Sequence, residues 1–254
     1  MSETFLFASW LLLITLMLAY TFHKVRRVDL KMYAALEQIQ RTSEQNSQHT
    51  YQQIQAFIVL DRQLNLPYSL PVLRGWAASP DFLLLLAEHI IRQKPEIIVE
   101  CSSGASTVVL AQTAKQNGTG HVYSLEHDQH YAQQTRHELQ KQGLENWATV
   151  IDAPLSEQQF AEQAYSWYSV PTDIAAKQID MLVIDGPPAH LNLLARYPAG
   201  RVLFPQLNKN AVVFLDDADR QDEQQIIKHW LAEFPQLQVS KYNCEKGAVS
   251  LEGW

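Results

Sequence analysis

The stretch IIVECSSGAST, residues 97–107, decides how this chain folds. A short apolar run, Ile97 to Val99, ends on an acid, Glu100. Tiny residues follow from Cys101 to Ser106, and a helix-like pattern opens at Thr107. The order is strand, acidic tip, small-residue turn, helix. In that order a nucleotide-like ligand lies against bare backbone at a helix N-terminus, where N–H groups point outward and partial positive charge collects.

Outward from this stretch the pattern alternates. Helical spacing covers 107–116, a strand 121–126, a helix 129–142 and a strand 148–151. A longer helical or irregular segment leads to a strand at 179–184, a helix-like piece at 199–207, a strand at 211–215 and a helix at 221–234. Residues 237–242 and 248–251 read as a closing β-hairpin. On the other side, Pro80 sits at a first helical position after Ser79 as N-cap, and an apolar helix runs over 81–93. Alternating strands and helices imply an α/β fold, doubly wound, with a mostly parallel sheet covered on both faces and a C-terminal antiparallel hairpin. The buried runs IIV, MLVI and AVVFL suit central parallel strands. Ligands of such sheets gather beyond the carboxyl ends of the strands.

Those ends carry acids: Glu100, Glu126, Asp152, Asp185, and Asp216 with Asp217. One such acid commonly caps the next helix. Five in succession make a rim that repels itself unless a ligand, hydrogen bonds or cations compensate it. Glu126 lies 26 residues beyond Glu100, where a carboxylate can accept bonds from both ribose hydroxyls of a nucleoside. The loop itself, CSSGAST, has one glycine, Gly104, whereas a dinucleotide loop wants G-x-G-x-x-G so that backbone can approach a pyrophosphate. Glu100 beside the loop would repel a diphosphate and suits a cationic, amino-acid-bearing ligand. S-adenosylmethionine has an ammonium, a sulfonium and a ribose, and no phosphate.

With these residues on the page, the sequence resembles a class I S-adenosylmethionine-dependent methyltransferase. VECSSGAST resembles that family's first motif, E-x-G-x-G-x-S-T, with Ser102 at the first glycine; YSLEHD, TVIDAPL, IDMLVIDGPP and AVVFLDDADR resemble the four motifs that follow. The resemblance covers roughly residues 70–254 and implies a Rossmann-like fold. It also implies that Glu100 and Gly104 line the methionine side, with Ser102, Ser103 and Ser106 nearby. Glu126 would hold the ribose, His127 would flank the adenine, Asp152 and Ala153 would sit at the adenine edge, and Asp185 at the methyl-transfer mouth. IDMLVID and FLDDAD further resemble catechol-type O-methyltransferases, in which similar strand tips supply acids to a divalent cation. That resemblance implies Asp185, Asp216 and Asp217 as ligands of Mg²⁺, for which hard oxygen donors are suited; Gly186, Pro187 and Pro188 stiffen the loop differently from that pattern.

Several residues carry two readings. His190, five residues past Asp185, is a candidate general base, since its ordinary pKa lies near neutrality, or a surface loop histidine. Arg220 orients Asp216, binds an anionic substrate, or forms a plain salt bridge. Arg74 and Trp76 fold over the cofactor as a lid, or Trp76 is core. Trp167 and Tyr168 form an aromatic wall for a planar or sugar acceptor, or are core. The two cysteines, Cys101 and Cys244, make no metal spacing and no disulfide framework, and Cys101 reads as a small turn residue.

The first 27 residues differ from the rest. Residues 5–22, FLFASWLLLITLMLAYTF, hold no charge over 18 positions, near the lower limit of roughly 17–25 for a membrane-spanning helix. A cleaved signal peptide fits poorly, because Glu3 precedes the run and no Lys or Arg does. Lys24, Arg26, Arg27 and Lys31 follow it, which places the C-terminal body in the cytoplasm by the positive-inside rule. The expectation is a single-pass membrane anchor over 1–27, a helical stalk over 28–66, and a catalytic domain over 67–254. The stalk has helical apolar spacing at both ends and none over 41–50, suggesting a helix or two helices with a loose joint; it either spaces the domain or pairs with a second copy as a homodimer. A net charge of -7 argues against a broad nucleic-acid surface. The combined expectation is a membrane-anchored methyltransferase acting on an oxygen of a small molecule or glycan. An NAD-dependent oxidoreductase and a non-catalytic membrane-anchored scaffold are the alternatives.

Overall fold

A computed structural model describes residues 3–73, 75–160 and 163–254, so Arg74 lies outside the described residues. The chain divides into two units, residues 1–51 and Gln52–Trp254. A helix, α1 (Glu3–Leu64), makes up the first unit and supplies the opening turns of the second. No loose joint interrupts it: over the apolar-free stretch Arg41 pairs with Glu37 at 2.5 Å, and the Thr42 and Thr50 hydroxyls bond the carbonyls of Gln38 and Asn46. Short-range polar pairs of this kind sustain a helix that buries nothing. α1 contains a window long and apolar enough to cross a membrane, and none of that window is buried. Leu60 and Leu64, in contrast, are fully buried in the second unit. That unit takes in the last turns of α1 from Gln52 onward.

The second unit follows the expected alternation. Its elements are α2 (Pro80–Gln93), β1 (Ile97–Cys101), α3 (Ala105–Asn117), β2 (His121–Glu126), α4 (Gln129–Gln142) and β3 (Ala148–Asp152). Then come β4 (Leu155–Phe160), β5 (Gln163–Tyr168), α5 (Thr172–Ala175), β6 (Ile179–Ile184), α6 (Pro198–Val202), β7 (Leu207–Asp216), α7 (Gln221–Glu233), β8 (Gln238–Tyr242) and β9 (Ala248–Glu252). Seven strands form one sheet in the order β3-β2-β1-β6-β7-β9-β8. β3, β2, β1, β6 and β7 run parallel, and β9 inserts antiparallel between β7 and β8.

Two stretches differ from the sequence reading. The segment after β3 is an antiparallel two-stranded sheet, β4–β5, rather than helical or irregular. Alternation carries it: in QAYSWY, Tyr165 and Trp167 are buried while Ala164 and Ser166 are not, and Tyr168 closes the strand buried. The helix-like piece at 199–207 is cut short because Pro205 falls inside it; α6 gives way to a 3-10 turn, Phe204–Gln206, and β7 already begins at Leu207.

The sheet buries both faces, as the runs IIV, MLVI and AVVFL require. Along β6, Met181 and Val183 join a core with Phe82, Leu86 and Ile90 of α2 and Val108 of α3. Leu182 and Ile184 join the opposite core with Trp167, Phe204 and Trp230. Each large side chain so buried contributes roughly 1.5–3 kcal/mol. The result is a rigid plate whose parallel strands all end on one edge, and that edge holds the acids.

Candidate functional site

Glu100, Glu126 and Asp152 stand at the ends of β1, β2 and β3, and Glu126 is the register partner of Asp152. Asp185 follows β6 and Asp216 ends β7, so all five tips share the edge. The loop from Cys101 to Gly104 is pinned across them. Ser102 donates its N–H to the Leu125 carbonyl at 2.9 Å. Ser103 donates both its N–H and its hydroxyl to Glu126 Oε2, each at 2.9 Å. Glu126 Oε1 accepts from the Asp128 N–H at 3.0 Å. The Gly104 N–H meets the Thr107 hydroxyl at 3.0 Å, and a methyl placed on Gly104 would find nothing within 4 Å. The helix that starts here thus opens onto free space at its N-terminus.

Glu100 lies behind this loop. It is fully buried, with the Thr107 hydroxyl at 2.6 Å from Oε2 and the Ser124 hydroxyl bonded to the same oxygen. Burial raises its carboxyl above the ordinary range, against the hydroxyls of Ser106, Ser124 and Thr107, with Glu126 adding to the rise. Glu100 braces the turn through Oε2, and its Oε1 is buried without a hydrogen-bond partner among the described residues. Ser102 has φ +107°, a left-handed value that favours glycine. The backbone therefore keeps the shape that the first glycine of the motif would give, with a serine in it.

The adenine-edge residues are engaged elsewhere. Asp152 is exposed and held by Arg136 at 2.8 Å. Ala153 is buried and gives its N–H to the Glu126 carbonyl at 2.7 Å. His127 Nδ1 stands 3.0 Å from Glu126 Oε1 without hydrogen-bond alignment, and its ring faces Tyr168 edge-on at 6.2 Å. Tyr168, carried by β5, is fully buried, and its hydroxyl has no partner among the described residues. A Cβ on Gly186 would lie 2.3 Å from that hydroxyl, so only glycine fits after Asp185.

On the other half of the edge, ligand atoms of Asp185, Asp216 and Asp217 lie within 4.8 Å of one another. The residue that joins them is Arg196, which the motifs did not single out. Its buried guanidinium donates to the Asp216 carbonyl at 2.9 Å, the Asp185 carbonyl at 2.9 Å, Asp185 Oδ1 at 3.3 Å and Asp217 Oδ2 at 2.7 Å. Glu223 Oε1 stands 3.6 Å behind it. Arg220 reaches Asp217 Oδ2 at 2.9 Å, so it orients Asp217 rather than Asp216. Both oxygens of Asp216 and Oδ1 of Asp217 are buried without a hydrogen-bond partner among the described residues. Burial and the neighbouring Asp217 push the Asp216 carboxyl up to about 6. Burial and Asp216 push Asp185 well above its usual range, against the pull of Arg196. Orphaned oxygens on Asp216 and Asp217, converging with the Asp185 carboxylate, are a donor set that fits a hard divalent cation. The only sequence signal for Arg196 is a lone basic residue in a loop, LLARYP, that faces acids far away in the chain.

His190 is exposed, and its one interaction among the described residues is a ring contact with exposed Trp76 at 5.7 Å. It lies on the loop after Asp185 and is not bonded to the carboxylates. Trp167 and Tyr168 belong to the core beneath the edge and form no open wall. Cys101 is buried beside Glu100, and burial pushes its thiol up, away from nucleophile chemistry. A cleft of about 530 Å³ opens on the opposite edge of the sheet, lined by Lys94, Lys177 and Asp180 among others, and none of the strand-tip acids reaches it.

Residues 99–218 match the model of a family described as a methyltransferase domain. No curated protein matches the chain. Among solved structures, an SAH-bound methyltransferase from Podospora anserina is 14% identical, with a TM-score of 0.53 over 78% of this chain and 88% of its own. The O-methyltransferase from Bacillus cereus, in complex with SAH, is 15% identical, with a TM-score of 0.53 over 79% of this chain and 90% of its own. A putative caffeoyl-CoA O-methyltransferase from Staphylococcus aureus is 18% identical, with a TM-score of 0.51 over 83% of this chain and 98% of its own. These likenesses establish the fold.

Proposed function

From the premise that this chain carries a class I, S-adenosylmethionine-dependent methyltransferase domain, we propose that it is a membrane-anchored O-methyltransferase acting on a small molecule or glycan. The carrying observation is the pinned loop: Ser103 bound to Glu126, with open space in front of Gly104 at a helix N-terminus. A cationic cofactor with a ribose and no phosphate suits that acid-rimmed edge. Glu126 would turn from its own loop to the ribose hydroxyls; Ser103 keeps a second partner in Thr135 at 3.1 Å when it does. Glu100 would act through the loop it braces. Asp152 and His127 would flank the adenine.

In the reaction the acceptor oxygen attacks the cofactor's methyl carbon. The S–C bond breaks, its electron pair returns to sulfur, and the O–C bond forms in line. Positioning and water exclusion supply most of the acceleration in such a displacement. The acceptor's hydroxyl proton passes to His190 on the loop after Asp185, or to Asp185 itself when no cation occupies that carboxylate. Asp185, Asp216 and Asp217 would hold Mg²⁺, and such an ion when bound supplies Lewis acidity toward acceptor oxygens. The apolar helix of residues 5–22 would span a membrane once and leave the domain on the cytoplasmic side with Lys24, Arg26, Arg27 and Lys31.

Calorimetric titration of the full-length chain in detergent tests the reading. Micromolar binding of S-adenosylmethionine or S-adenosylhomocysteine, weakened at least about tenfold in Glu126→Gln, is the expected result. Tight NAD binding, or no binding of either cofactor form, overturns it.

A further inference from the structure

The first unit carries apolar side chains that nothing in it covers. Over residues 25–39 a stripe recurs at alternating steps of three and four: Val25, Val28, Met32, Ala35 and Ile39 are all exposed. Steps of three and four are the a and d positions of a heptad, the seam along which two helices interlock. The printed polar pairs of this stretch, Arg41 with Glu37 and Gln40 with Glu44, fall at b, c and f, on the opposite face. A competing register through Leu36 would draw Asp29 into the seam, and one through Leu30 and Tyr33 would draw in Glu37. The stripe keeps its phase beyond Gln52, where Ala56 and Leu60 are buried in the second unit. Before Gln52 the same face is exposed, with no partner among the described residues.

We propose that this face binds a second copy of the chain, forming a parallel, in-register two-helix coiled coil over residues 25–49. Charge selects that arrangement. Lys24 occupies a g position and Asp29 the e position five residues on, so a parallel pair places Lys24 of each chain beside Asp29 of the other. Asn46 falls at an a position, where it meets its own counterpart; a lone asparagine there fixes register and favours two strands. Two chains anchored the same way in one membrane can meet only in parallel. Thr42, Asn46 and His49 make the distal part of the seam polar, so Val25 to Ile39 contribute most of the association. The inference concerns the stalk alone and stands apart from methyl transfer.

Oxidative cross-linking of single-cysteine substitutions in the full-length, detergent-solubilised chain tests it. Ala35→Cys, at d, forms disulfide-linked dimers at least about tenfold faster than Glu37→Cys, at f, because seam positions face their own counterparts and f positions point away. Cys101 and Cys244 are buried and serve in the unsubstituted chain as the blank. Mass photometry gives a dimer for the native chain and a monomer for Ile39→Asp, with cofactor affinity unchanged by the substitution. Equal cross-linking at 35 and 37, or a native monomer at micromolar concentration, overturns the proposal.

Discussion

The two halves of the acidic edge hold their carboxylates in opposite ways. At the tips of β1 and β2, Glu100 and Glu126 are held by neutral donors: hydroxyls of Thr107 and Ser124 on Oε2 of the first, whose Oε1 has no partner among the described residues, and N–H groups and a hydroxyl of Ser103 and Asp128 on both oxygens of the second. At the tips of β6 and β7, three aspartates crowd one guanidinium and leave three oxygens unmatched. The first half is pinned by hydroxyl and backbone donors and leaves one oxygen unmatched. The second is held together by Arg196 and retains more unmatched oxygens, the feature on which the proposed cation site rests.

Removing Arg196 breaks the second half most severely. Arg196→Met leaves Asp185, Asp217 and Glu223 without their shared counter-ion, and breaking a buried pair by deleting one member costs about 3–5 kcal/mol. The surface pair Arg136–Asp152, both partners well exposed, gives the contrast: Arg136→Met costs under about 1 kcal/mol. Urea unfolding of the two variants measures both. If Arg196→Met costs no more than Arg136→Met, the guanidinium does not hold that half together.

The unmatched oxygens leave a signature in pH. The Asp216 carboxyl is raised to about 6 when folded, from an ordinary 3.8. Between those values the folded state binds more protons than the unfolded one, so the stability from this group is full below about pH 4 and is lost as pH rises through about 6. The whole effect is at most roughly 3 kcal/mol. His89 runs the other way: burial, with Arg92 adding, lowers it to about 4, so stability from it is lost as pH falls through that value. His89 is present in wild type and in Asp216→Asn alike and cancels between them. Thermal unfolding from pH 4 to 7 is therefore expected to show Asp216→Asn gaining on wild type as pH rises. A difference flat with pH would mean that Asp216 is matched after all, and the contrast between the halves would weaken.

The same contrast explains what the sequence disclosed. The first half is local: Glu100, the small-residue turn and Thr107 lie within eight residues, and Glu126 ends the next strand. The succession of strands and helices along the chain follows from alternating patterns, and the acids could be read off the strand ends. The second half needs a distant partner. Nothing near Arg196 in the chain marks it, because its function is set by carbonyls and carboxylates of residues 185, 216 and 217 brought together by the sheet. The β4–β5 hairpin was hidden for another reason: LSEQQF is polar along most of its length, and only the aromatic alternation of QAYSWY reveals a strand. Glu100 was legible as an acid at a strand tip, while its complete burial followed from α3 closing over it.

Ser102 offers the smallest and most direct test of the first half. Its φ of +107° costs a serine on the order of 1 kcal/mol that glycine would not incur, partly offset by glycine's greater freedom when unfolded. The bonds that pin the loop run from the backbone of Ser102 to Leu125 and from Ser103 to Glu126, and both survive without the Ser102 side chain. Ser102→Gly should therefore raise stability by about 0.5 kcal/mol and leave S-adenosylmethionine affinity within about twofold. A loss of stability would mean that the Ser102 side chain is itself a needed contact, and its place supplies one candidate. Its Cβ would stand 3.1 Å from a Cβ built on Gly186, between the cofactor loop and the loop of Asp185. In that event the two halves would be joined through Ser102, and the serine in the first motif would be a link between cofactor and acceptor sides.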